Sequence, residues 1–208
     1  MHNNLTGLNI CVFASGSGSN FNAIVNARSE GVIKSDIKLL ITNNSDCGAV
    51  SIAKNHNIQV EHISRKKYSG LSDDSYAQLF IDVLRKHQID FIVLAGYMKM
   101  LDVPVIKEFS NRIINIHPAL LPSFGGQGMY GMNVHRAVLE SGVKVTGITV
   151  HLVDENYDRG KIIFQKCTEV LDDDDENTLQ QRVLKLEHIY YSQVISDIEN
   201  GIIKTGLQ

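Results

Sequence analysis

The sequence is poor in cysteine, has no basic excess and holds no long apolar run, and each shortage excludes something. Its three cysteines, Cys11, Cys47 and Cys167, lie far apart and make no C-x-x-C. So sparse and odd a set suits a reducing compartment. Cys11 sits in an apolar run and Cys167 in an alternating one, so both read as small core fillers. The 208 residues carry a formal charge of −3, which gives no electrostatic footprint for nucleic acid. No apolar stretch is long enough to cross a bilayer. The opening MHNNLTGLNI has no basic segment followed by an apolar core, so no secretory leader is expected and the chain is placed in the cytoplasm. There is neither an internal repeat nor a stretch of linker composition. The expectation is one domain over 1–208, built in two lobes.

What is present is an ordinary globular balance, 43% hydrophobic and 21% charged. Through the first half, apolar runs alternate with helical patterns. LNICVFA (8–14), DIKLLIT (36–42), a short run near 58–63 and FIVLAG (91–96) read as strands, and RIINI (112–116) in the second half reads as another. Between them, Phe21, Ile24, Val25 and Arg28 follow at helical spacing, with Gly31 as a stop. A second helix is expected over about 46–56. Ser72 can cap a third, carrying Tyr76, Leu79, Phe80, Val83 and Leu84. Continuous apolar strands joined by helices predict an α/β fold of three layers, a mostly parallel twisted sheet with helices on both faces.

The second half differs. A long loop, HPALLPSFGGQGMYGM, follows RIINI, and Val134, Ala137 and Val138 mark a short helix ending at Gly142. The runs 143–153 and 161–171 are joined by the compact DENYDRG, which predicts an antiparallel pair. A long helix closes the chain, with Leu179, Val183, Leu186, Tyr190, Val194 and Ile198 as its apolar stripe. Asn177 with Gln180 is expected to cap it. The preceding DDDDE reads as a solvated turn whose carboxylates favour a helix start, rather than a metal site.

The stretch ASGSGSN (14–20) turns from the first strand into the first helix. Helix-start N–H groups are unpaired and partly positive, and glycine lets an anion approach them. Gly16 and Gly18 give that room, Ser19 is an N-cap candidate, and Ser19 and Asn20 add donors. The same turn also suits a strand-to-helix corner with no ligand. The pattern is no dinucleotide fingerprint: position 21 is Phe21, and Thr42, Asn43 and Asn44 stand where a ribose-binding acid would be. No Gly-Lys-Ser/Thr follows either. A phosphate carried by a substrate fits better than a nucleotide cofactor, which argues against a dinucleotide-dependent oxidoreductase. A non-catalytic phosphate-binding module is the plainest rival.

Asn115 and His117, two apart in an extended segment, project to one side at a strand's carboxyl end. Asp158 in DENYDRG can return a carboxylate to them. An amide donor, an imidazole and a carboxylate suit acyl transfer to an amine, in which the tetrahedral intermediate carries an oxyanion. Asp158 is expected to raise the imidazole pKa and hold a water. Taken singly, Asn115 also suits a turn cap and His117 a satisfied loop histidine. His135 and His151, weighed with them for a metal, match no compact ligand spacing, so no metal is expected. No G-x-S-x-G elbow is present, which favours direct transfer over an acyl-enzyme.

These residues carry a resemblance over almost the whole chain. ICVFASGSGSN, VLAGYMKML (93–101), INIHPALLPSFGG (114–126), VHRAVLESG (134–142) and GITVHLVDENYDRGKII (147–163) resemble the phosphoribosylglycinamide formyltransferase family, folate-dependent enzymes of purine synthesis. The resemblance implies formyl transfer from 10-formyltetrahydrofolate, as co-substrate, to the amine of 5-phosphoribosylglycinamide. It implies Asn115, His117 and Asp158 as the catalytic trio. Gly18, Ser19 and Asn20 would hold the substrate phosphate and Glu187 its ribose. Met98, Lys99, Met100 and Leu101, with Asn115, Asp154 and Tyr157, would border the folate. It divides the chain into a phosphate-binding Rossmann-like lobe, 1–100, and a catalytic and folate lobe, 101–208. Small-molecule substrates, no membrane and no nucleic acid, and a monomer or homodimer are the implied partners. A related formyltransferase acting on another amine, or a formyltetrahydrofolate hydrolase, is the nearest alternative. The chain departs from relatives at Asp73 and Asp74, where some carry an arginine, and at Arg159, where a glycine is common.

Overall fold

A computed structural model describes residues 7–207. The opening MHNNLT, part of the stretch read for a leader, lies outside the described residues. Among the described residues the strands are β1 Asn9–Phe13, β2 Asp36–Thr42, β3 Gln59–His62, β4 Phe91–Leu94, β5 Ile113–His117, β6 Val145–Leu152 and β7 Ile162–Glu169. The helices are α1 Ser19–Ser29, α2 Gly48–Asn55, α3 Asp73–Lys86, α4 Val103–Glu108, α5 Met132–Ser141 and α6 Glu176–Glu199. The strands form one sheet in the order β3-β2-β1-β4-β5-β6-β7. β1 to β5 are parallel; β6 runs antiparallel to β5, and β7 antiparallel to β6.

Helices cover both faces, as the continuous apolar strands require. Alternation along β1 sends Ile10 and Val12 to one face and Cys11 and Phe13 to the other. The first face packs on α1, α2, α5 and α6 through Phe21, Ile24, Ala49, Val138, Val183 and Val194. The second packs on α3 and α4 through Phe80, Leu84 and Val105. Each of the larger of these buried side chains contributes about 2 kcal/mol of transfer free energy. Tyr191 reaches through the first core, and its buried hydroxyl lies 2.8 Å from the Leu94 carbonyl and 3.2 Å from that of Ile114.

Four local expectations need correction. The N-cap of α1 is Gly18, not Ser19; it has φ 79° and makes no side-chain cap bond. A Cβ there would lie 2.8 Å from Ala49 Cα, so α2 packs where only glycine fits. The cap of α6 is Asp175, two residues before Asn177: its carboxylate accepts from Asn177 N–H and Thr178 N–H, and Thr178 completes the box. Within DDDDE, Asp174 is not solvated, because it is buried against Arg182 at 2.6 Å. That guanidinium, with the Leu171 N–H and Thr178, holds its carboxyl down to about 2. Cys167 is exposed on the edge strand β7, whereas Cys11 is buried. The short α4, with Pro104 in its first turn, was not anticipated.

Strand order places the first chain reversal between β1 and β4. The β1 and β4 exits are tied there, Ser15 N–H to Gly96 O at 3.1 Å and Met98 N–H to Ser15 Oγ at 3.0 Å. This is the switch point at which open α/β sheets bind ligands.

Candidate functional site

A cavity of about 560 Å³ opens at the carboxyl ends of β4 and β5. At one end its wall is the α1 turn and α6, with Ser19, Asn20, Gln180 and Glu187; at the other it is Met98 to Leu101 with Val153 to Asp158. Asn115, His117 and His151 lie in the wall as well. Met98 and Met100 are exposed at the mouth and Leu101 is buried. Gly18 is not in the wall; it caps the helix behind Ser19 and Asn20.

The sheet positions Asn115 and His117. In the antiparallel pairing, Asn115 stands opposite His151 and His117 opposite Thr149. The Thr149 hydroxyl then holds the chain beyond β5, donating to Ala119 O at 2.7 Å and accepting from Leu121 N–H at 3.0 Å. Asp158 comes from the β6–β7 loop. The Asp154 carboxylate starts that loop by accepting from Asn156 N–H at 2.8 Å. Asp158 itself takes φ 54°, left-handed for a residue with a side chain. Gly160 ends the loop, where a Cβ would collide with the Leu152 carbonyl oxygen.

The polar contacts fix protons. His117 Nε2 lies 2.8 Å from Phe124 O, which can only accept, so Nε2 carries the hydrogen and Nδ1 is left with a lone pair. Nδ1 faces Asp158 Oδ2 at 3.6 Å. His151 Nδ1 likewise donates to Leu152 O at 2.8 Å, leaving Nε2 to accept from Asn115 Nδ2 at 3.2 Å. One hydrogen of the Asn115 amide is thus used and the other is free. His151 Nε2 is also 3.5 Å from Asp158 Oδ1, and Gly126 N–H donates to Asp158 Oδ2 at 2.9 Å.

Burial sets the charges. It pushes the His117 pKa down, and Asp158 and the Phe124 carbonyl only partly offset it. Asp158 raises the ring's pKa as expected, but burial outweighs it, and the ring is therefore neutral near pH 7. Burial pushes Asp158 up, but the adjacent His151 ring, the Gly126 N–H that donates to it and the nearby His117 ring outweigh burial and hold the carboxyl below its ordinary range. Asp158 is the standing charge and His117 the group that can gain one. At the far end, Asn20 Nδ2 donates to Glu187 Oε2 at 2.9 Å. Burial lifts the Glu187 carboxyl to about 7 against that bond.

The sequence marks His151 only as a metal candidate, yet in the fold it touches both Asn115 and Asp158. Its link to Asn115 depends on an antiparallel register across 36 residues, which no local spacing reveals. Phe124 and Gly126 act through their backbones, so side-chain chemistry could not flag them. No group of three or more histidine, cysteine or acidic side chains suited to a metal occurs among the described residues. No helix among them is long and apolar enough to cross a membrane.

Comparison with known proteins adds to this geometry. The formyl transferase family model matches residues 8–195. The chain is 44% identical over 195 residues to the chloroplastic phosphoribosylglycinamide formyltransferase of Arabidopsis thaliana, covering 94% of this chain and 66% of that one. It is 38% identical to phosphoribosylglycinamide formyltransferase of Bacillus subtilis, covering 90% of this chain and 92% of that one. The crystal structure of phosphoribosylglycinamide formyltransferase from Bacillus halodurans superposes with a TM-score of 0.84 at 35% identity, covering 91% of this chain and 94% of that one. The chain spans 59 to 66% of the length of its plant relatives.

Proposed function

The chain belongs to the formyl transferase family, and from that premise we propose that it transfers the formyl group of 10-formyltetrahydrofolate to the amine of 5-phosphoribosylglycinamide, a step of purine synthesis in the cytoplasm. The observation that carries this reading is the convergence of Asn115, His117 and Asp158 on one cavity that reaches the amino end of α1. The relatives named above act on that acceptor by their names.

The α1 turn receives the phosphate: N–H groups at a helix start and the Ser19 and Asn20 side chains offer donors to an anion. Glu187 receives ribose hydroxyls. The pterin lies at the other end, bordered by Met98, Lys99, Met100, Leu101, Asp154 and Tyr157. The amine and the formyl carbon then meet at Asn115 and His117.

The reaction forms a C–N bond from the amine to the formyl carbon, and breaks the bond from that carbon to the donor nitrogen. Net, one proton leaves the amine and one reaches the donor nitrogen. In the intermediate, the free hydrogen of the Asn115 amide faces the oxyanion; such a preorganised donor contributes about 3 kcal/mol. His117 begins neutral and takes a proton at Nδ1, where Asp158 at 3.6 Å stabilises the imidazolium. The Phe124 carbonyl keeps the ring in this tautomer throughout. Asp158 stays ionised and organises the water that relays the proton.

The test is formation of formylated phosphoribosylglycinamide and tetrahydrofolate from the two substrates. Turnover that requires the amine supports the reading. Release of formate without any amine replaces it with the hydrolase.

A further inference from the structure

His135 has no part in the chemistry above, yet it stands in the cavity wall. It lies in the first turn of α5, directly after the glycine-rich segment Gly125–Gly131. Its side chain is 3% exposed, and its Nδ1 is enclosed without any hydrogen-bond partner. A buried polar nitrogen left unpaired costs about 1–3 kcal/mol. In native proteins such a group calls for a reason, and at a cavity wall a bound molecule can supply the missing partner.

We propose that His135 is a substrate-binding residue that hydrogen-bonds the carboxamide joining the amine to the ribose of the acceptor. The assignment rests on the acceptor reading given above.

Position and charge choose this group over the other parts of the two substrates. His135 shares the cavity wall with His117, and its neighbour Arg136 pairs with Glu176 at 2.7 Å, so it stands on the side of the reacting centre that leads to the start of α6. On that side the wall continues through Gln180, Val183 and Leu184 to Glu187, the end assigned to ribose. The carboxamide is the part of the acceptor that lies between ribose and amine. Burial and the nearby His117 push the His135 pKa down, so the ring is neutral. A neutral imidazole has one donor and one acceptor, which matches an amide C=O or N–H. A phosphate would call for a cation there, and an apolar pterin face would leave the nitrogen unpaired.

The experiment compares wild type with His135→Phe and His135→Asn. His135→Phe is expected to raise KM for 5-phosphoribosylglycinamide at least tenfold, about 1.4 kcal/mol, and to leave KM for 10-formyltetrahydrofolate within twofold. His135→Asn, which keeps a donor and an acceptor, is expected to recover part of the loss. An unchanged acceptor KM, or equal shifts for both substrates, overturns the inference. A folding defect in the variants is met by measuring wild type directly. The ring 15N resonances of His135 are expected to shift when 5-phosphoribosylglycinamide alone is added, and resonances that stay still overturn the inference. Calorimetric titration of wild type with the acceptor separates the two readings. Binding without turnover sinks formyl transfer alone, and turnover indifferent to His135 sinks this inference alone.

Discussion

At the scale of single residues, two carboxyls are held in opposite states by their surroundings. Asp158 is kept ionised by hydrogen bonds, and Glu187 is lifted to about 7 by burial. Asp158→Asn removes the charge and keeps the shape. Asparagine tolerates the left-handed φ of 54° better than most residues, so the loop should fold normally. We expect kcat to fall by at least about 100-fold with an unchanged unfolding midpoint, read by steady-state kinetics and urea denaturation. For Glu187 the folded pKa exceeds the unfolded value of 4.5. The stability this group contributes is present below that value and is lost as pH rises through 7. Urea midpoints at pH 5 and 8.5 should show it, since Glu187→Gln is expected to lose this slope and gain on the order of 3 kcal/mol over wild type at the higher pH.

At the scale of elements, the strands and the amphipathic helices were legible because period and length announce them. Alternation along β1 survives in the fold, and so does the stripe of α6, except that Leu186 and Tyr190 are only partly buried while Tyr191 enters the core. Caps were harder. Ser19, Asn177 and Gln180 are good capping types, but backbone geometry chose Gly18 and Asp175 instead. At α6 the sequence suggests Asn177 with Gln180, but Thr178 together with the Asp174–Arg182 pair favours Asp175. Asp175→Ala should therefore cost about 1 kcal/mol in thermal or urea unfolding, whereas Asn177→Ala should cost little. A result in the reverse order would return the cap to Asn177. The α4 helix escaped notice because six residues give too short a window for periodicity. The trio was legible from Asn115 and His117 because they share one strand. His151 was not, because strand pairing alone brings it there.

At the scale of the whole molecule, the far ends of the chain are joined by a buried acid. Glu199, at the end of α6, accepts from Lys34 N–H and Ser35 N–H at 2.8 Å each, and from the Ser35 hydroxyl. These bonds fasten the last helix to the entrance of β2, far from the cavity. Glu199→Ala leaves the part-buried Lys34 N–H and the buried Ser35 N–H without that partner. It is expected to lower unfolding free energy by about 3 kcal/mol and to leave KM for both substrates within twofold, measured by urea denaturation and kinetics side by side.

Because Asn115 and His151 meet across a ladder of backbone bonds, spacing along β6 counts for as much as side-chain identity there. Inserting one extra amino acid between Thr149 and His151 would turn the imidazole to the opposite side of the sheet, leaving the carboxamide of Asn115 with nothing to lean on. Lengthening the loop from α5 into β6, between Ser141 and Val145, would shift no residue of that pair. Tolerance to added chain should thus change from full to none within a few positions of one strand.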